Sequence, residues 1–159
     1  MAKSYILTAD MAREAVEIVT VAFEKLVALG VTDRNKLHIV IMDPAKRPEF
    51  GDTFEDAILY QQSIGEEVER YKKIALGKAR VAWLYGLPTQ EVQQFYPHLY
   101  TEGMTKWGGG TYLHHIAVGA SGVEYQYDQW AAEMVASTCR ALSVGKMAEV
   151  LEIEKDFLE

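Results

Sequence analysis

Two histidines, His114 and His115, stand side by side in WGGGTYLHHIAVGASG, residues 107–122. Imidazole titrates near neutral pH and serves as base, acid or metal ligand. On an extended strand successive side chains point to opposite faces, so the two cannot converge on one ion. The alternation places Tyr112, His114, Ile116 and Val118 on one face, and His115 with Thr111, Leu113 and Ala117 on the other. His114, beside an aromatic on an apolar stripe, is the candidate for a ligand contact or proton exchange; the plainer alternative is a hydrogen-bonded structural histidine. His38 and His98 complete the set, and none falls at a zinc-type spacing, so no metal site is expected.

Lys78 is the second anomaly. In the helical segment 66–85, Val68, Tyr71, Ala75, Ala82 and Tyr85 form one stripe, with Lys78 in its middle. A lysine on a core-facing stripe is costly unless it is paired or its head reaches water. It either snorkels or holds an anionic ligand or a carboxylate in a cleft. EYQYDQW, residues 124–130, adds groups with apolar bodies and polar tips. Asp128 is placed to cap the following helix, while Tyr125, Tyr127 and Trp130 suit either the walls of a ligand pocket or a subunit interface.

These residues must be positioned by ordinary elements. Thr8 can cap a first helix that Gly30 ends, with Met11, Ala15, Ile18, Val19, Ala22, Leu26 and Leu29 as its apolar stripe. KLHIVIMD (36–43) reads as a strand, 44–56 as a charged, Pro-bearing loop, and AILYQQ (57–62) as a second strand. A helix over 66–85 stops at Gly86, and Thr89 can cap a short helix to Phe95. MTKW (104–107) and TYLHHIAV (111–118) read as a hairpin turning on Gly108, Gly109 and Gly110. A helix over 128–142 follows, with 147–159 a charged helix or tail. Helices alternating with hairpins give an α+β architecture in one domain spanning 1–159.

Composition narrows the function. Of 159 residues, 49% are hydrophobic and 25% charged, a globular balance. A net charge of -7 disfavours nucleic acid and anionic membranes, and no apolar run is long enough to span a bilayer. The N-terminus lacks a secretory pattern. The single Cys139 excludes an intrachain disulfide framework and reads as a small buried hydrophobe, so a cytoplasmic setting is expected.

IALGKARVAWLYGLPT (74–89) resembles the most specific segment of the GlcG/HbpS-like family, a haem-degrading group related to the PduO C-terminal domain, at Lys78, Ala79, Ala82, Tyr85, Gly86, Pro88 and Thr89. HIVIMD is similar to that family's first strand, ending at Asp43. IAVGASGVEYQYDQWAA matches at Gly119, Ser121, Gly122 and Asp128. The resemblance spans roughly 8–142. It implies a profilin-like three-layer fold, a five-stranded antiparallel sheet with helices on both faces, forming dimers or higher oligomers. Some members bind haem, which makes haem a possible cofactor. Three departures stand against haem: the loop 44–56 replaces a tight turn, QQSIG (61–65) lacks the family's arginine and aspartate, and the first helix has no histidine. That loop could instead act as a lid over a different ligand.

The first functional reading is a cytoplasmic, homo-oligomeric protein binding a planar, anionic small molecule, a tetrapyrrole or an aromatic-derived carboxylate. Asp43, Lys78, Tyr85, Tyr112, His114, Tyr125 and Tyr127 would contact it. The alternative is an enzyme of acid/base chemistry on a ring-derived carboxylate, with His114 exchanging the proton, Lys78 holding the carboxylate and Asp128 or Asp43 orienting a partner. A third reading is an interaction subunit whose aromatics serve oligomer contacts alone.

Overall fold

The computed structural model describes residues 2–159. The first helix, α1 (Ala9–Ala28), opens where expected: the Thr8 hydroxyl accepts from the Met11 amide at 3.2 Å. Its buried stripe is Ala12, Ala15, Val16, Val19 and Phe23, so the inward face is rotated from the expected one and leaves Ile18 and Leu29 in solvent.

Strand β1 (Leu37–Met42) pairs antiparallel with β2 (Ile58–Ile64). Between them the loop carries a single 3₁₀ turn and the short α2 (Phe54–Ala57). Helix α3 (Glu69–Tyr85) ends on Gly86 in the left-handed conformation, and α4 (Thr89–Phe95) follows. Thr89 does not cap α4. Pro88 holds that position, and the buried Thr89 hydroxyl accepts instead from the Gly110 amide at 2.9 Å.

The second hairpin differs from expectation. Strand β3 is Gly110–Leu113 and β4 is Ile116–Ser121, so the chain reverses at the histidines and not at the glycines. His114 and His115 have φ of 46° and 71°, the two positive values of a two-residue turn matched to strand twist. Residues 104–107 form no strand. The reason is that Gly110–Leu113 already takes the pairing edge of β4, with Leu113 opposite Ile116. The five-stranded expectation is corrected accordingly: the sheet is four-stranded and antiparallel, in the order β2-β1-β4-β3. Helix α5 (Tyr125–Val150) starts earlier and runs further than 128–142.

Helices cover both faces of the sheet. Leu37, Ile39, Ile41, Val118 and Ala120 pack against α1 and α5, while Val40, Met42 and Ala117 pack against α3. The α3 layer sits very close, because its contact residues are Ala75, Ala79 and Ala82. Gly119 completes that fit: a Cβ there would lie 2.2 Å from the Ala75 carbonyl oxygen. Cys139 is fully buried in the α1/α5 layer.

Candidate functional site

Helix α3 crosses β4 so closely that its residues lie over the end of that strand, where α5 begins. There the chain leaves a cleft of about 410 Å³. The first half of α3 contributes Arg70, Tyr71, Ile74 and Lys78. The glycine-rich segment contributes Trp107 and Gly108, the strand end Ser121 and Gly122, the helix start Tyr125 and Asp128, and the loop after α1 adds Arg34.

At the floor, Lys78 is 2% exposed. Its ammonium donates to the Ala120 carbonyl at 2.8 Å and to Asp128 Oδ2 at 3.0 Å. The other Asp128 oxygen accepts from the Val123 amide at 3.0 Å. Asp128 is therefore not the expected cap of α5, since Glu124 occupies the capping position. It lies one turn inside the helix and fixes both the helix start and the lysine. Burial pushes the Asp128 carboxyl up to about 6, against the opposing pull of Lys78 and the Val123 amide. Burial likewise pulls the Lys78 ammonium below the ordinary lysine value, opposed by Asp128.

The bare backbone of Gly109 lies close to the lysine nitrogen. A Cβ on Gly109 would sit 2.6 Å from Lys78 Nζ, so the triple glycine admits a close passage that any side chain would block. Arg34 and Arg70 at the mouth are exposed, and neither joins an ion pair among the described residues. With Lys78 they oppose only Glu124 and Asp128, so the lining carries a net positive charge in a chain of net charge -7. The walls are aromatic at Tyr71, Trp107 and Tyr125.

Of the residues named from sequence, the structure brings Lys78, Asp128 and Tyr125 to this cleft. The others lie elsewhere. Asp43, at the end of β1, accepts from the Ser4 amide at 3.1 Å and the Ala45 amide at 2.9 Å. Tyr85 donates to the Leu99 carbonyl at 2.7 Å, and Tyr127 packs on the α1/α5 core. The shared strand face of Tyr112 and His114 is corrected by the turn between β3 and β4. Tyr112 instead meets His115, with its hydroxyl 2.8 Å from Nδ1, and faces α3 with Ala117. His114 borders a separate apolar groove of about 340 Å³ with Pro44, Ile116, Arg140, Val144 and Met147. The loop 44–56 covers no part of the cleft. Trp83, at the far end of α3, donates to the Lys46 carbonyl at 2.9 Å and holds the loop there.

Arg34, Arg70, Tyr71 and Trp107 were not legible as site residues one by one. Among the described residues, no group of three or more His, Cys, Asp or Glu side chains gathers as a metal site would, and no helix is long and apolar enough to cross a membrane.

No family model matches the chain, and no curated protein does. Among solved structures it is similar to the Klebsiella pneumoniae protein ORFY, a DUF336 protein of the GlcG-like family, at 19% identity and a TM-score of 0.58. The match covers 89% of this chain and 93% of that one. The α+β fold expected from 74–89 and its flanking segments is thus the fold of a DUF336 protein, followed nearly from end to end.

Proposed function

We propose that the cleft between α3 and α5 binds a small, flat, anionic molecule, an aromatic carboxylate in the simplest case. The observation that carries this reading is the stacking of charge: Lys78 buried at the floor and two exposed arginines, Arg34 and Arg70, at the mouth of one cavity. Guanidinium groups match a carboxylate through paired N–H donors, and the aromatic walls suit a ring. This places the planar, anionic ligand expected from sequence at a different set of contacts. Of the expected contacts Lys78 and Tyr125 remain in it, and Asp128, expected only as an orienting group, joins them. Asp43, Tyr85, Tyr112, His114 and Tyr127 drop out, since none of them lines this cleft.

The test is a calorimetric titration with benzoate and phenylacetate, beside acetate as the ringless control. Saturable binding of the aromatic acids, weakened at least tenfold by Arg70→Glu, supports the reading. Absence of saturable heat with either aromatic acid removes it.

The lining of this cleft holds no histidine, cysteine or methionine, and its tyrosines, Tyr71 and Tyr125, are the iron-donor side chains it offers. The commoner haem donors, histidine and methionine, meet at the apolar groove beside β4, where His114, Met147 and Arg140 lie together. That meeting favours a second reading. His114 would hold the iron and Arg140 a propionate, with the bound group supplying redox or oxygen chemistry. Haemin titration decides it: a saturable Soret shift lost in His114→Ala supports it, and no shift ends it.

Self-association belongs to the same proposal. The end of α5 and the tail leave Val144, Leu151, Ile153 and Phe157 exposed, Phe157 at 84%. An apolar strip of that kind suits a second copy of the chain. Light scattering on wild type and Leu151→Glu checks it, with a smaller species expected for the variant. The whole is consistent with a cytoplasmic binding protein.

A further inference from the structure

Lys78 combines features that ion pairing alone does not require. Its nitrogen uses two of its three donor positions, on Ala120 and Asp128, and it lines an open cleft and not a sealed core. Gly109 lies against it as bare backbone, leaving no room for a Cβ at that point. A carboxyl group able to accept and return a proton touches it at 3.0 Å. Arg34 and Arg70 line the same cleft, and their guanidinium groups suit a carboxylate.

We propose that Lys78 forms a covalent imine with the carbonyl carbon of an aromatic 2-oxo acid, with Asp128 carrying the protons. The ligand class follows from the lining. A 2-oxo acid places a carbonyl one bond from a carboxylate, so one compact molecule offers an electrophile to the lysine and an anion to Arg34 or Arg70. The ring then meets Tyr71, Trp107 and Tyr125.

The step balances without an oxidant or reductant. Asp128 takes a proton from the ammonium, and the freed lone pair forms the C–N bond. The carbonyl oxygen takes that proton from Asp128 and becomes a hydroxyl. A second proton passes from nitrogen through Asp128 to this hydroxyl, which departs as water with the C–O bonding pair, while the lone pair so freed on nitrogen forms the second C–N bond of an iminium. Net, one ammonium and one carbonyl give one iminium and one water, with charge unchanged. Burial, which lowers the ammonium and raises the carboxyl, brings the two proton affinities toward each other and eases the exchange.

This inference rests on the binding reading above, and the experiment separates the two. The full chain is incubated with phenylpyruvate and sodium cyanoborohydride, then digested and mapped by mass spectrometry. Phenyllactate, which has a hydroxyl in place of the carbonyl, is the non-covalent probe. The expected result is a reduced adduct concentrated on the peptide carrying Lys78, suppressed by phenyllactate. Asp128→Asn should trap at least tenfold more slowly than wild type, and Lys78→Arg should give no adduct. Mapping is done on the wild-type chain, so the result stands even where a variant fails to fold. An adduct that is absent, or spread over surface lysines such as Lys3 and Lys106, overturns the imine; saturable phenyllactate binding alongside it leaves the binding reading in place. Loss of phenyllactate binding as well overturns both.

Discussion

Lys78 on α3 and Asp128 on α5 meet at 3.0 Å beyond the end of β4, each almost wholly buried. The two helices lie on opposite faces of the sheet, so this pair is a bolt through its edge as well as the floor of the cleft. Taking two charges out of water is costly, and the attraction offsets that cost only while both partners and their hydrogen bonds are present.

Removing one partner should therefore be expensive. Asp128→Ala leaves a buried ammonium with only the Ala120 carbonyl and should cost about 3–5 kcal/mol. Lys78→Met combined with Asp128→Leu should recover most of that loss. Urea denaturation of the three proteins measures it, and equal midpoints for Asp128→Ala and wild type would contradict the pairing.

The pH dependence has a definite sign. The folded Asp128 carboxyl is raised to about 6 from an ordinary value of 3.8. A raised acid favours the folded state fully below its unfolded value, and that share is lost as pH rises through about 6. Lys78 runs the other way: its lowered value contributes stability above the ordinary 10.5, lost as pH falls through the folded value. Stability measured from pH 4 to 7 should show the wild type losing ground relative to Asp128→Asn. Parallel curves would mean that Asp128 titrates as an ordinary carboxylate.

Anion affinity should move with the same group. Once Asp128 is neutral, the charge on Lys78 is unopposed, so benzenesulfonate, ionised throughout the range, should bind more tightly at pH 5 than at pH 8. In Asp128→Asn that difference should vanish. Trp107 lines the cleft and is 47% exposed, which provides the optical signal. Trp107→Phe should remove the ligand-dependent part of the fluorescence change.

Gly119 offers a packing test. Gly119→Val places side-chain atoms where the Ala75 carbonyl already stands, 2.2 Å from the Cβ position. Separating α3 from β4 by the width of a side chain should cost about 3 kcal/mol or more, and a melt by circular dichroism within a few degrees of wild type would show that the layers can part cheaply.

The histidine turn offers the opposite sign. Two non-glycine residues at positive φ carry a backbone cost of about 1–2 kcal/mol each in that region. Asn-Gly is the pair this turn favours, so the double replacement His114→Asn, His115→Gly should stabilise the chain by about 1 kcal/mol, less the lost Tyr112–His115 contact. A lower melting temperature would mean that the contact outweighs the strain.

That turn also explains where sequence reasoning went astray. Gly108 to Gly110 carried the ordinary signature of a reversal, while His114 and His115 carried none, so the hairpin was placed on the wrong residues. The strand alternation then assigned His114 and Tyr112 to one face across what is a chain reversal. By contrast, Thr8, Gly86 and Lys78 were legible because each reflects a local rule: a cap, a left-handed stop, a charge on an apolar stripe. Arg34 and Arg70 meet only through tertiary folding, with β1 and β2 between them in the chain. No local pattern joins them.

The strand order β2-β1-β4-β3 has a kinetic consequence. Each outer pairing is made within its own half of the chain, but the central one sets Ile39 against Ala120 and closes a very long loop. Such distant pairings form slowly relative to local ones. The two halves should therefore dock late, each with its own hairpin already partly made. Ala120 and Asp128, the partners of Lys78, come from the second half and reach the lysine only at that docking. The cleft is thus a product of the last folding event, and a chain cut in the long 86–109 connection should show no cleft until its two pieces reassociate.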